Sequence, residues 1–334
     1  MENQLKNNMD QVVFFDLIKK SIPTNQSLVN EISDILNIGT DAAYRRIRGV
    51  KMLDFEETMK LSRHFRISLD AVSSVTQDNL IICRYIPLNL KNTRNYMTYL
   101  NAILRISDNT KVVPEGEMIT FAVDIPFVNL LHYKELTFFK VYSWSKSVYG
   151  YEGTFEQFIS TIDIPEINEI HKRIATNYLQ IPSSEIWTSG TLDTMIRLIS
   201  YRYEMKHFGD ANNALLLCEQ LLDMINTLQH WTEKGTKGRE DIPYKFYVSE
   251  IDSGNTFVLF KMKGELRCLI RLFTFNGLNI SNELFCEEAE QWLYNLSQRA
   301  ILISGASEKE RFKFFNSQRN KIELLIEKIK LDMD

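Results

Sequence analysis

Along the first seventy residues, apolar positions recur at the three-and-four spacing of helices that bury a single stripe. Gln11–Ile22 offers Val12, Val13, Phe15, Leu17 and Ile18, and Pro23 stops it. Ser27–Leu36 repeats the pattern with Leu28, Val29, Ile32, Ile35 and Leu36. Asn37 then falls where a short turn between paired helices needs a left-handed backbone, which Asn tolerates better than most non-glycine residues. Ile38 returns to the core, and Thr40 is placed to cap the next helix by accepting from a free backbone N–H. In that helix, Asp41 to Arg48, the residues Thr40, Ala43 and Ile47 share one side. Asp41, Tyr44, Arg45 and Arg48 form an i, i+3, i+4, i+7 stripe on the other. Gly49 ends it. Asp54 and Glu57 then make a capping-box start for a helix through Phe65, with Phe55, Met59, Leu61 and Phe65 as packing residues.

Ser73–Asn79 is small and polar and reads as a link to the rest of the chain. Asn79–Leu90 looks extended, Thr93–Ile106 helical through Tyr96, Tyr99, Leu100, Ile103 and Leu104, and Glu117–Val123 a short strand. Aromatic residues crowd from Phe121 to Phe158, as core or as the wall of a pocket for an apolar or planar effector. Glu166–Leu179, Thr191–Phe208 and Ala211–Glu233 read as three helices, with polar breaks at Pro182–Ser184 and Gly209–Asp210. After Gly235 the period switches from about 3.6 to 2. Tyr244–Ile251, Thr256–Met262 and Leu266–Phe275, separated by Asp252–Asn255 and Lys263-Gly264 and ended by Asn276-Gly277, predict a three-stranded antiparallel meander. Asn282–Leu296 is helical again, and Ile301–Ser304 is extended. Ser307 with Glu310 makes a capping box for a last helix. There Phe312, Phe315, Arg319, Ile322, Ile326 and Ile329 suit either a coiled-coil seam between two copies or packing onto the sheet.

The expected fold class is therefore α+β: an N-terminal all-α helix-turn-helix domain over 1–75, a mostly helical dimerisation or sensing region over 80–235, and an α+β region over 236–334, the meander plus two helices.

Composition narrows the chemistry. With 334 residues, 44% hydrophobic, the chain can form two or three domains, each with its own core. A net charge of −4 excludes a general nucleic-acid binder. The first 76 residues hold ten Lys and Arg against ten Asp and Glu, so any contact with DNA is a confined patch. Arg45, Arg46, Arg48 and Lys51 fall within seven residues with no acid between them, and Arg is the side chain best shaped for phosphate oxygens and the guanine edge. Cys83, Cys218, Cys268 and Cys286 are scattered, which predicts reduced thiols and no zinc site. The five histidines show no paired ligand spacing, and phosphate-loop, nucleophile-elbow and kinase patterns are missing. No enzyme, cofactor, metal site or catalytic residue is expected. No signal segment or apolar run of about 18 residues is present, which predicts a cytoplasmic chain without a membrane partner.

The N-terminal residues resemble the Cro/C1-like bacterial helix-turn-helix regulators. The resemblance rests on Ser33 in the supporting helix, Asn37 at the turn, Ile38 behind it, Ala43 inside the recognition helix, Gly49 after it and the Ile67–Asp70 segment that closes the last helix. The family usually has an apolar residue where Arg46 stands. More loosely, through DIPFVNLL, FKVYSW and ISGASEKERFKFFN, the whole chain is similar to bacterial regulators that join such a module to a large C-terminal region. The resemblance implies a transcriptional regulator that binds double-stranded DNA as a homodimer. Tyr44, Arg45 and Arg48 would reach base edges, and Asp41 would accept from cytosine. Arg46, Lys51 and Lys60 would hold phosphates, and Thr40 would start the helix. The C-terminal region would dimerise or sense a small-molecule or peptide effector. The alternative is a helical scaffold that binds proteins or peptides through 165–233 and does not itself touch DNA.

Overall fold

The computed structural model describes residues 2–22, 27–67, 69, 72, 81–238, 241–262 and 264–333; the side chains of residues 2–9 and 20 are outside that description. The chain divides into two compact units, Met1–Ile82 and Cys83–Asp334. The expected Ser73–Asn79 link lies outside the described residues.

Among the described residues, the first unit has four helices: α1 (Glu2–Ser21), α2 (Leu28–Leu36), α3 (Thr40–Ile47) and α4 (Phe55–Phe65). Phe14, Phe15, Ile18, Ile32, Leu36, Ala43, Leu61 and Val72 form its core. Phe14 rather than Val12 or Val13 faces inward, and Phe55, expected to pack, is 79% exposed at the first turn of α4. α2 and α4 end in the same way. Asn37 (φ 53°) and Arg66 (φ 55°) take the left-handed backbone, and the isoleucine after each folds back. Ile38 N–H donates to Ser33 O and the Ser33 hydroxyl to Ile38 O; Ile67 and Ser62 make the same pair of bonds.

The second unit mixes helices with one sheet. Its elements in order are β1 (Cys83–Ile86), α5 (Thr93–Lys111), β2 (Glu117–Ala122), α6 (Phe127–Leu130), α7 (Lys134–Tyr149), α8 (Phe155–Ile162), α9 (Pro165–Tyr178) and β3 (Ser183–Thr188). There follow α10 (Asp193–Glu204), α11 (Asn212–Lys234), β4 (Thr236–Lys237), β5 (Ile242–Ser249), β6 (Phe257–Met262), β7 (Glu265–Leu272) and β8 (Asn276–Ile280). α12 (Glu283–Arg299), β9 (Ile301–Leu302) and α13 (Glu308–Met333) complete it. The strands run in the order β1-β8-β7-β6-β2-β3-β5-β4, with β9 beside β5. β2, β3 and β5 are parallel to one another and the remaining neighbours are antiparallel. Phe121, Ile186, Leu259, Cys268 and Ile280 point to the face covered by α12. Ala122, Trp187, Tyr244 and Phe246 point to the other, where residues of α5–α11 and α13 build the larger core.

The structure corrects some expectations and decides between others. β5 is not a meander partner of β6, because β2 and β3 lie between them; the meander is β6-β7-β8, and Asn276-Gly277 is inside β8 rather than past the end. Regions 80–235 and 236–334 do not separate, since their strands alternate in one sheet. Ser307 leads into α13 with a left-handed backbone, φ 62°. The apolar stripe of α13 is spent inside the unit: Phe315, Ile322 and Ile329 are fully buried, and Arg319 donates to Asn226 and Gln229 of α11. The aromatic run from 121 to 158 is mostly core, with Phe121, Phe138, Phe139, Tyr142 and Phe155 buried. Among the described residues, no helix is long and apolar enough to cross a membrane.

Candidate nucleic-acid interface

The candidate site is built on α3, which α2, α4 and α1 hold from behind. Its N-cap is Gly39, in extended backbone and with no side-chain cap; Thr40, expected to cap, is instead the first helical residue and is exposed. Ala43 is fully buried and Ile47 packs partly against the core. At the other end Gly49 takes φ 69°, a conformation that costs glycine nothing, and its N–H donates to Arg46 O.

The outward stripe is open. Asp41, Tyr44, Arg45 and Arg48 are exposed on α3, and Lys51 is exposed just beyond it. The Arg48 guanidinium lies 5.3 Å from the Tyr44 ring centre, so the two side chains form one surface. Among the described residues, the side chains of Asp41, Arg45 and Lys51 have no hydrogen-bond or ion-pair partner. Lys60, on α4, stands 3.4 Å from Glu56 and is exposed.

Arg46 is the correction. It is 4% exposed, and its guanidinium grips the Glu57 carboxylate with both arms, Nε to Oε2 at 2.9 Å and Nη2 to Oε1 at 2.6 Å. Nη1 donates to Ala42 O. A charge in this position is enclosed only because its counter-ion is fixed in bidentate geometry. The hydrogen bond to Arg46 holds the Glu57 carboxyl below the usual range, and the same bond raises the Arg46 pKa. Glu57 also accepts from Asp54 N–H while Asp54 Oδ1 accepts from Glu57 N–H, which completes the expected capping box of α4. Arg46 is thus a brace between α3 and α4, unavailable to a phosphate.

A second brace had no distinct signature. Gln11, 6% exposed on α1, donates through Nε2 to Arg46 O at 2.8 Å and Lys51 O at 2.9 Å, and its Oε1 accepts from Leu53 N–H at 2.8 Å. One amide therefore sets the path of the loop that carries Lys51. Its only sequence signal is a polar residue at the head of an apolar helix. Two guanidinium groups and one ammonium held on a rigid exposed face can take phosphate oxygens or guanine O6 and N7, while the phenol adds a flat apolar contact.

Comparison with protein-family models, with curated proteins and with solved structures finds no match to this chain.

Proposed function

We propose that the chain is a sequence-specific DNA-binding transcriptional regulator of the helix-turn-helix kind, with α2 as supporting helix and α3 as recognition helix in the major groove. The observation that carries this reading is the exposed Tyr44, Arg45 and Arg48 face, whose cations have no acidic partner, on a helix anchored by Ala43 and the Arg46–Glu57 pair. Tyr44, Arg45 and Arg48 contact base edges, Asp41 accepts from cytosine N4, and Lys51 holds a phosphate. Lys60 is a weaker candidate because Glu56 competes for it. One such module reads few base pairs. The reading therefore includes a homodimer formed through the second unit, with half-sites about 34 Å apart or a multiple of that. The inner face of α13 is not available for that contact.

The test is a gel shift on DNA flanking the protein's own gene. Arg45→Ala/Arg48→Ala should lose at least about tenfold in affinity, since each good base contact contributes roughly 1–3 kcal/mol of discrimination. The fold should be unchanged by circular dichroism, because both side chains are exposed. Equal affinity and equal site preference in this variant would refute the assignment.

A further inference from the structure

The second unit holds a partly open cavity of about 260 Å³ between α5, the helix-rich face of β2, β6 and β7, and the segment leading into α6. Ile103, Ile106, Met118, Phe127, Phe260 and Phe275 make its walls apolar. A cavity near 150 Å³ accommodates benzene, so this one has room for a ligand of roughly ten non-hydrogen atoms.

Four polar side chains that line the cavity are incompletely matched. Arg271 of β7 is half-buried and spends Nη1 on Tyr99 Oη (3.1 Å) and Phe275 O (3.4 Å), yet among the described residues no carboxylate lies within ion-pair distance of it. Lys140, 4% exposed, donates to Asp124 Oδ2 at 2.6 Å, one bond for a group with three protons. Asp124 Oδ1 is shielded from solvent without a partner, and so is the hydroxyl of Thr120, whose residue is fully buried on β2. Buried polar groups are normally satisfied, and here two unpartnered oxygens and two cations with bonds to spare line one cavity, which suits it to a polar ligand.

The rim supports this. Phe273 (φ 49°) and Thr274 (φ 72°) form the β7–β8 turn at the cavity, although a β-branched residue rarely adopts that backbone. Trp144 holds the turn by donating from Nε1 to Phe273 O at 2.9 Å. Backbone maintained against its preference gathers at ligand clamps.

We infer that this cavity binds a small carboxylic acid with an apolar, flat or chain-like body and a hydroxyl at its far end. The charges on the wall sum to +1, two cations against Asp124, which selects an anion. The Arg271 fork matches a carboxylate. Asp124 Oδ1 can only accept, so the distal group must donate, and a hydroxyl can in turn accept from Thr120 or Lys140. β7 and β2 are two strand spacings apart, roughly 10 Å, which sets the length between the two polar ends. Regulation by such an acid would extend the DNA-binding reading, but the site stands without it.

Titration calorimetry on the full chain, with no DNA present, tests the site using 3-(4-hydroxyphenyl)propanoate, 3-phenylpropanoate and 3-(4-hydroxyphenyl)propan-1-ol. The hydroxy acid should bind one per chain, the des-hydroxy acid several-fold more weakly, and the alcohol at least about tenfold more weakly. Arg271→Gln should bind acid and alcohol alike. Ile103→Trp, which fills the cavity from a half-buried position on α5, should abolish all three while melting as a folded protein. The inference is overturned if the wild-type chain binds neither acid saturably, if acid and alcohol bind it equally, or if Ile103→Trp leaves the affinities unchanged. A chain that binds DNA but no acid would fail this test alone.

Discussion

Removing the Arg46 guanidinium would leave the Glu57 carboxylate, 16% exposed, facing the space its counter-ion filled. Breaking a buried pair from one side costs about 3–5 kcal/mol, because the surviving charge stays in place. Glu57 keeps partial access to water and its bond to Asp54 N–H, which puts Arg46→Ala at the lower end, about 3 kcal/mol. Urea unfolding followed by far-UV circular dichroism should show this loss in the first unit. Arg45→Ala and Arg48→Ala should stay within about 0.5 kcal/mol of wild type, as exposed positions do. The three arginines look equivalent in the sequence, and helical periodicity assigned Ile47 rather than Arg46 to the interior. Periodicity weighs side chains by polarity and cannot register that Glu57, eleven residues on, offers a matched carboxylate. The turn at Asn37, the capping box at Asp54 and the inward Ala43 were readable because each depends on neighbours in sequence. Gln11 was not, since its partners lie 35 to 42 residues away.

At the level of elements, the strands that were missed or mispaired are those whose partners are distant. β3 has the sequence Ser-Ser-Glu-Ile-Trp-Thr, and its polar start reads as a break between helices. It is a central strand because its polar side chains are answered from other elements: the Glu185 carboxylate accepts from Trp187 Nε1, Asn129 Nδ2 and the Tyr178 hydroxyl. Helices fared better, α5 and α9–α12 falling near their expected positions, since their pattern is internal to the segment. Helix packing also yields a pH dependence. His171 of α9 is shut among Tyr96 of α5, Phe127 of α6 and Phe138 of α7, with Nε2 2.8 Å from the Tyr96 hydroxyl. Burial lowers its pKa from 6.5 to about 4. The unfolded chain therefore binds a proton first as pH falls. The contribution of neutral His171 is complete above 6.5 and is lost through the interval down to 4, the loss reaching about 3 kcal/mol at its end. His132 shifts the same way, through burial first and Lys237 second. Denaturant midpoints of the second unit measured from pH 7.5 to 4.5 should fall on acidification, and His171→Gln should remove the larger part of that slope. An unchanged slope in this variant would show that His171 does not govern the acid response.

For the molecule as a whole, the division at residues 82 and 83 separates a helical unit from one whose sheet is threaded by the remaining chain. The expected link over 73–79 lies outside the described residues, and no division falls at 235 because strands from both sides of it share one sheet. The division into two units also bears on the proposed DNA binding by a chain of net charge −4. With acidic surface elsewhere, the electrostatic part of affinity must come from the exposed cations of the first unit, and burial of Arg46 leaves Arg45, Arg48 and Lys51 on the α3 face. Each phosphate neutralised contributes about −0.9 to the slope of log affinity against log salt. Arg45 and Arg48 carry their charge into the groove and displace counter-ions there as Lys51 does at a phosphate, so three cations bring the slope of one module near −3 and two modules bring it to about −5. Binding measured between 50 and 200 mM salt should therefore give a slope near −5 for the proposed dimer, and Lys51→Ala should reduce it by about 2, one phosphate contact from each module. A slope near −3 that falls by only about 1 would mean that a single module engages DNA, and the dimer would have to be given up while the recognition helix stood. A slope near zero in the wild-type chain would remove both.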